Sequence, residues 1–292
     1  MREDERRDVS TPAADPRLPV LKATDERPSG GAMQQAKIAW TTTDTVLVGN
    51  HKVARAPAGT PSGVLGSGIR RDSARQLAFK KLMWPAAKLY EYLFIDGFIE
   101  QETSKLIAKY IRPNDVFLEI GCGNMELRNA LGDDMVFNAL DIELSEFHLR
   151  RVLDSDQRVN VVLASATDIP AASESVSLIV STEVLREIPH VDHAFAEIRR
   201  VSKPGGRFIC SISNGHCHKY KAKGQHPSAI HTWSFDEFVS FAEDHGLRLL
   251  EGSRKGVWVP LPTWLTRTSY QLPVTAKSDY YNTVFFFAFE VA

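Results

Sequence analysis

The stretch between residues 115 and 127 constrains the fold of this chain most strongly; it reads Asp-Val-Phe-Leu-Glu-Ile-Gly-Cys-Gly-Asn-Met-Glu-Leu. Val116 to Ile120 is a short, mostly apolar run, typical of a strand that is buried on both faces. The run stops at a glycine turn, Gly121-Cys122-Gly123, and Glu126 to Leu131 then has the pattern of a beginning helix. Because glycines let the backbone approach a ligand closely, we interpret this segment as the first half of a nucleotide-binding βαβ unit.

An acidic residue follows at the distance that such units require. A second apolar run, Met135 to Leu140, ends in Asp141, about 20 residues beyond the glycine turn. A carboxylate in this position can accept hydrogen bonds from both hydroxyls of a ribose. The dinucleotide fingerprint G-x-G-x-x-G is incomplete, since Glu126 occupies its third glycine position and would bring negative charge close to a pyrophosphate. On this segment alone, a tight turn without a ligand remains an equal alternative.

The composition of the chain limits the classes of protein to which it can belong. The 292 residues, 43% of them hydrophobic, suffice for one large α/β domain with a tail. A net charge of -1 argues against general nucleic-acid binding, which needs a basic face. The three cysteines lack CxxC spacing, which predicts a reducing compartment and no zinc site. With no apolar stretch of about 18 residues and no apolar signal-peptide core, we expect a cytoplasmic protein without a transmembrane segment.

The chain divides into three segments. Residues 1–36 mix charge with Pro, Gly, Ser and Ala, which predicts a disordered tail. Residues 37–72 form a poorly defined segment whose Thr/Val-rich part, Ile38 to Val53, predicts a small hairpin. Residues 73–292 form the main domain, which begins with helical cover and includes a helix over about Gln101 to Tyr110.

Several motifs then occur in the order of a known family. Glu119-Ile-Gly-Cys-Gly resembles the first motif of class I S-adenosylmethionine-dependent methyltransferases, and Asp141 matches the ribose-binding acid of that family. Ser165-Ala-Thr-Asp-Ile-Pro resembles the adenine-side Asp-Ala-x-x-Leu-Pro turn, with Ser165 at the acidic position. Glu183-Val-Leu-Arg-Glu-Ile-Pro is similar to a segment of the ubiquinone/menaquinone-type members, and Lys203-Pro-Gly-Gly matches their Lys-Pro-Gly-Gly turn. Because S-adenosylmethionine has no phosphate, this family tolerates Glu126.

The resemblance, which spans about Phe117 to Ser213, implies a fold and a cofactor. The fold is α/β, with a Rossmann-like, seven-stranded and mostly parallel sheet and helices on both faces. The apolar run Thr283 to Val291 would be the antiparallel last strand, inserted between the fifth and sixth strands. The implied cofactor is S-adenosyl-L-methionine. The residues expected to bind it are Glu119, Gly121, Cys122, Gly123, Asp141, Ile142, Ser165, Ala166, Thr167 and Thr182.

The loop after the fifth predicted strand is the candidate substrate region. Between residues 214 and 233 it concentrates cationic side chains, namely His216, His218, Lys219, Lys221, Lys223, His226 and His231. We interpret them as a site for an anionic group of the substrate, with His216 or His231 as general base. A solvated surface loop explains the charges equally well, and a metal site fits less well because the spacing is irregular.

The predicted function is S-adenosylmethionine-dependent methyl transfer to a small-molecule or glycan- or lipid-linked metabolite, by O- or N-methylation. The alternative is a catalytically degenerate methyltransferase-like protein that binds or regulates a partner. That alternative is supported by departures from the family pattern, at Ser165 and Ser177 in place of acids and at Glu187 in place of histidine. A nucleic-acid methyltransferase is a third option, but the chain has no Asn-Pro-Pro-Tyr-like motif.

Overall fold

The computed structural model describes residues 36–48, 50–56, 68–71, 73–76, 78–79, 82, 98–131, 135–155, 158–259 and 271–292. Residues Met33–Ala292 form one compact unit. Nearly all of the predicted tail, and most of the helical cover, lie outside the described residues. Of the helices in the described residues, none has the length and apolar character to cross a membrane.

The described elements are strands and helices in mixed order. The strands are β1 Thr45–Val48, β2 His51–Arg55, β3 Gly68–Arg70, β4 Phe117–Ile120, β5 Phe137–Asp141, β6 Glu143–Ser145, β7 Val159–Leu163, β8 Val176–Thr182, β9 Ser202–Ser213, β10 Leu247–Trp258, β11 Gln271–Leu272 and β12 Asn282–Val291. The α-helices are α1 Phe98–Tyr110, α2 Glu126–Ala130, α3 Glu146–Ser155, α4 Val191–Val201, α5 His218–Lys223 and α6 Phe235–Asp244. A 3-10 turn spans Leu185–Glu187.

The main sheet contains the predicted seven strands in the order β7-β5-β4-β8-β9-β12-β10. The first five strands of this order, from β7 through β5, β4 and β8 to β9, pair in parallel with their neighbours. Strand β12 pairs antiparallel with β9 and with β10. The Rossmann-like class and the inserted antiparallel last strand are therefore confirmed. The predicted hairpin also forms, as β1 and β2, and it joins the sheet by parallel pairing with β7. With β11 at the other edge, the sheet has ten strands, three more than the predicted seven.

Strand β12 shows why the sheet is covered on both faces. Successive side chains of a strand point to opposite faces, so Phe285, Phe287 and Phe289 join one hydrophobic core and Phe286 joins the other. The first core includes Phe195 and Phe238 from α4 and α6, and the second includes Phe98 and Ile107 from α1. Burial on both faces explains why the segment is a continuous apolar run.

Two predicted boundaries are wrong. The sequence pattern predicts a helix over Glu143 to Leu153, but the helix begins at Glu146, because Glu143 to Ser145 form strand β6, which pairs in parallel with β3. The sequence pattern also predicts a sixth strand over Leu247 to Glu251, but this strand continues to Trp258 and pairs with β12 along its length. In both cases pairing with a distant segment decides the local structure, and neither partner is visible in the local sequence pattern.

Candidate cofactor and acceptor site

Four adjacent parallel strands end at one edge of the sheet, and the candidate residues lie there. In the register of the sheet, Ile120 of β4 pairs with Leu140 of β5 and with Ser181 of β8. Asp141 pairs with Leu163 at the end of β7. The ten predicted cofactor residues thus lie at or just beyond the carboxyl ends of β7, β5, β4 and β8. In open α/β sheets this is the edge where ligands bind.

The glycine turn is held close to the loop after β8. Gly121 has φ +75°, and a Cβ added to it would lie 2.2 Å from Cγ2 of Val184. Only glycine therefore fits this position, both for its backbone conformation and for the space available. Gly123 has φ +48°, but an added Cβ would meet no described atom within 4 Å. The turn is packed on the Gly121 side and open on the Gly123 side.

Asp141 is the acidic residue beside this open side. The Gly123 N–H donates to its Oδ2 at 2.7 Å, and the Glu143 N–H donates to its Oδ1 at 3.1 Å. Each carboxylate oxygen accepts about two hydrogen bonds, so each retains capacity for one more. These two free acceptor positions suit the two hydroxyls of a ribose. Burial raises the pKa of Asp141, and the backbone N–H groups of Glu143 and Gly123 oppose that shift.

Glu119 and Cys122 line the buried side of the turn. Burial, reinforced by the negative charge of Asp141, raises the pKa of Glu119 well above its usual value. Its Oε2 is buried without a hydrogen-bond partner among the described residues, so a donor on a ligand or a water can satisfy it. Burial likewise raises the pKa of the Cys122 thiol, which favours its neutral form. Glu119, Gly123 and Asp141 together fit the cofactor that the resemblance implies.

Ser165 replaces the family's adenine-side acid, and its hydroxyl stabilises its own turn. Ser165 Oγ lies 2.7 Å from Thr167 Oγ1 and accepts the Thr167 N–H at 3.1 Å. The N–H of Asp168 donates to the Ser165 carbonyl at 3.1 Å. A serine thus closes the turn, so the backbone of Ala166 and Thr167 is positioned without the aspartate.

The two histidines expected to act as a base have different surroundings. Nε2 of His231 donates to the Ile188 carbonyl at 2.8 Å, since a carbonyl can only accept, and the ring stacks on Trp233 at 5.1 Å. The side chain of His216 is 56% exposed, with Nε2 3.7 Å from Oε2 of Glu237. His231 is therefore anchored and His216 faces solvent, while the base role of either stays a prediction.

A cluster whose members the sequence analysis did not bring together lies beyond the ends of β8 and β9. This Glu183 cluster consists of Glu183, Arg186, Ser213, Lys219 and Tyr220. The Ser213 hydroxyl donates a short hydrogen bond to Oε2 of Glu183, and Nη1 of Arg186 donates to Oη of Tyr220 at 3.3 Å. The backbone of Glu183 has φ +61°, which non-glycine residues rarely adopt. Such strained residues often occur at functional sites.

The charges in the Glu183 cluster influence each other. Burial raises the pKa of Glu183, against the opposing effects of Ser213, Arg186 and Lys219. Burial lowers the pKa of Lys219, and the negative charge of Glu183 opposes this. Glu183 opens a segment that was noted for its family pattern, and Lys219 belongs to the cationic loop. An acid directly after a parallel strand was the signal that could have identified the cluster.

Residues 118–210 match the model of a family described as a methyltransferase domain. This segment of the chain is a methyltransferase domain. The match confirms the predicted family and S-adenosylmethionine as the cofactor of the domain. Among the described residues, the chain contains no group of three His, Cys, Asp or Glu side chains that could hold a metal ion.

Curated relatives differ in their named substrates. The chain is 30% identical over 137 residues to the eEF1A lysine and N-terminal methyltransferase of Bos taurus, and the alignment covers 42% of this chain and 20% of that protein. It is 30% identical over 122 residues to the 27-O-demethylrifamycin SV methyltransferase of Amycolatopsis mediterranei, covering 37% of this chain and 44% of that protein. The chain thus spans less than half of either relative.

A solved structure from Thermotoga maritima, a SAM-dependent methyltransferase, shares the fold. The TM-score is 0.50 at 14% identity, and the alignment covers 74% of this chain and 99% of that one. At this level of identity the likeness establishes the fold and carries no information about the acceptor.

Proposed function

We propose that this chain transfers the methyl group of S-adenosylmethionine to a small-molecule or glycan- or lipid-linked metabolite at the carboxyl ends of β8 and β9. The observation that carries the proposal is the pairing of Asp141 with the open side of the glycine turn. Both oxygens of Asp141 accept one backbone N–H and retain capacity for a ribose hydroxyl. When bound, the cofactor supplies a methyl group on a sulfonium, so the protein needs only to orient the acceptor and exclude water.

Unpaired polar atoms at the ends of β8 and β9 support the acceptor's position. Among the described residues, five side chains here have buried atoms without a hydrogen-bond partner, at Ser181 Oγ, Thr182 Oγ1, Glu183 Oε1, Arg186 Nε and Ser211 Oγ. Buried polar atoms are normally satisfied, so a concentration of exceptions favours a ligand that completes them. Closely spaced polar atoms suit a compact acceptor. The Amycolatopsis relative, by its name, also acts on a small molecule.

Calorimetric titration with S-adenosylhomocysteine tests the cofactor assignment. Asp141→Ala removes the acceptors of the two ribose hydroxyls, so we expect affinity to fall about ten- to hundredfold, or about 1.5–3 kcal/mol. Asp236→Ala is the matched control, because that side chain is 94% exposed. Unchanged affinity in Asp141→Ala would refute the ribose assignment. No binding by the parent protein would favour the degenerate, binding or regulatory function instead.

We also place this protein in the cytoplasm, with its methyltransferase domain in residues 73–292. The three cysteines are free and buried, which fits a reducing compartment. A truncation that removes residues 1–36 should keep its melting temperature, since the composition of that segment gives it little apolar surface to bury. A fall of several degrees would contradict the assignment of that segment as a tail.

A further inference from the structure

We propose that the acceptor of this enzyme reacts through a hydroxyl group, whose proton passes to Glu183 and whose developing negative charge is stabilised by Arg186 and Lys219. The inference rests on the proposed function and specifies the substrate class of the same site. It selects O-methylation and assigns the base role to Glu183, in place of His216 or His231.

The carboxylate of Glu183 is oriented and has one oxygen available. Ser213 donates to Oε2, whereas Oε1 is buried and has no partner among the described residues. The strained backbone at φ +61° holds the side chain at the end of β8. A general base needs a fixed position and a free lone pair, and its pKa should lie near the working pH. Burial raises the pKa of Glu183 in that direction.

Two cations accompany this one carboxylate. Arg186 is buried, and its Nε has no hydrogen-bond partner among the described residues. Nζ of Lys219 lies 5.1 Å from the centre of the Tyr220 ring, whose hydroxyl accepts a hydrogen bond from Arg186. Burial lowers the pKa of Lys219, and the negative charge of Glu183 opposes that shift. A protonated amine entering this site would be repelled by both cations. A hydroxyl enters neutral and becomes negative as it loses its proton, so the same cations stabilise its reaction.

The proposed step balances. The O–H bond of the acceptor breaks and its proton goes to Oε1 of Glu183, while the oxygen forms a bond to the methyl carbon. The carbon–sulfur bond breaks, its electron pair stays on the sulfur, and Glu183 later releases its proton to water. The products are the methyl ether, S-adenosylhomocysteine and one proton.

4-Nitrophenol is the probe, because its ionised form is coloured and its methyl ether is colourless. Titrated into full-length protein saturated with S-adenosylhomocysteine, it should bind as the phenolate and show increased colour below its own pKa. With S-adenosylmethionine instead, the colour should disappear as the ether forms. 4-Nitrobenzylamine has a similar shape, carries a protonated amine at neutral pH and should not be methylated. Methylation of this amine, or failure of 4-nitrophenol to bind, would overturn the proposal.

Two lysines of α5 provide a matched pair of variants. Lys219 is part-buried beside Glu183, whereas Lys221 is exposed, with its Nζ 5.0 Å from the centre of the Tyr280 ring. Lys219→Gln should weaken phenolate binding about tenfold, and Lys221→Gln should leave it unchanged. Equal effects of the two substitutions would show that the loop acts only through its net charge and would contradict the proposal.

Glu183→Gln separates a base from a structural residue. Removing the negative charge should leave phenolate affinity equal or higher, while turnover of the protonated phenol falls about 10²–10⁴-fold. Raising the pH to ionise the phenol in solution should restore much of that turnover. Loss of affinity and turnover at every pH would indicate a structural role and overturn the proposal. S-adenosylhomocysteine affinity is measured in parallel, so failure of the cofactor site is recognised separately.

Discussion

Alanine in place of Gly121 should mainly lower the stability of the fold, whereas alanine in place of Gly123 should mainly weaken cofactor binding. An alanine at either position adopts a left-handed conformation, which costs about 1–2 kcal/mol. At Gly121 the new Cβ would also lie 2.2 Å from Cγ2 of Val184. Such overpacking adds about 1–3 kcal/mol, so Gly121→Ala should lower the free energy of unfolding by about 2–5 kcal/mol.

Gly123→Ala serves as the internal comparison. Its Cβ meets no described atom within 4 Å, so only the conformational cost of about 1–2 kcal/mol applies to stability. The Gly123 N–H donates to the Asp141 carboxylate, so the added methyl group would lie on the residue that adjoins the proposed ribose position. Gly123→Ala should therefore weaken S-adenosylhomocysteine binding more than its small loss of stability would suggest.

The assay is urea-induced unfolding followed by circular dichroism, combined with calorimetric titration of S-adenosylhomocysteine. A double-mutant cycle with Val184→Ala isolates the steric contribution at Gly121, because the shorter side chain makes room for the added Cβ. The coupling between the two substitutions should be about 1–3 kcal/mol in favour of the double variant. Equal losses of stability in the two glycine variants, or no coupling to Val184, would refute the packing argument.

Three further substitutions test the fold and the site. Asp115→Ala leaves the buried Arg207, whose Nη2 lies 2.9 Å from Asp115, without its partner, so it should cost about 3–5 kcal/mol in urea unfolding. Because the folded pKa of Glu119 is raised, the folded protein retains a proton that the unfolded chain loses, and stability should fall as pH rises above about 4.5. Glu119→Gln should flatten this dependence between about pH 5 and pH 8. His231→Ala removes the hydrogen bond to a backbone carbonyl and should cost about 1 kcal/mol of stability.

Control variants and contrary results distinguish burial, protonation and catalysis as the causes of these effects. Arg248→Ala breaks the exposed pair with Glu290 and should cost less than about 1 kcal/mol, so a loss as large as that of Asp115→Ala would count against burial as the cause. The raised pKa of Glu119 would be contradicted if the stability of the parent protein rises between about pH 5 and pH 8 and the Glu119→Gln variant shows the same pH dependence. If His231→Ala loses much of its turnover without losing stability, the result would support His231 as the general base.

The sequence was sufficient wherever a local rule decides the structure. A strand, a turn that requires glycine and an acid about 20 residues later are local features, so the cofactor side of the site could be predicted residue by residue. Ser234 and Glu237 predict a capping box from the sequence alone, because both partners lie within one helical turn, and this box begins α6 in the structure. The order of the motifs, which matches that of the family, also predicted the arrangement of the central strands and the insertion of β12.

Tertiary structure decided what depends on distant partners. The sequence presented Lys219 and Lys221 as equivalent members of a cationic loop, yet packing places the first beside Glu183 and leaves the second in solvent. Ser213 meets Glu183, 30 residues earlier, only because β8 and β9 are neighbours in the sheet. Pairing of β2 with β7 likewise joins segments separated by more than one hundred residues. Burial and charge at the acceptor site arise from these long-range contacts, whereas periodicity in the sequence reports only which face of an element is apolar.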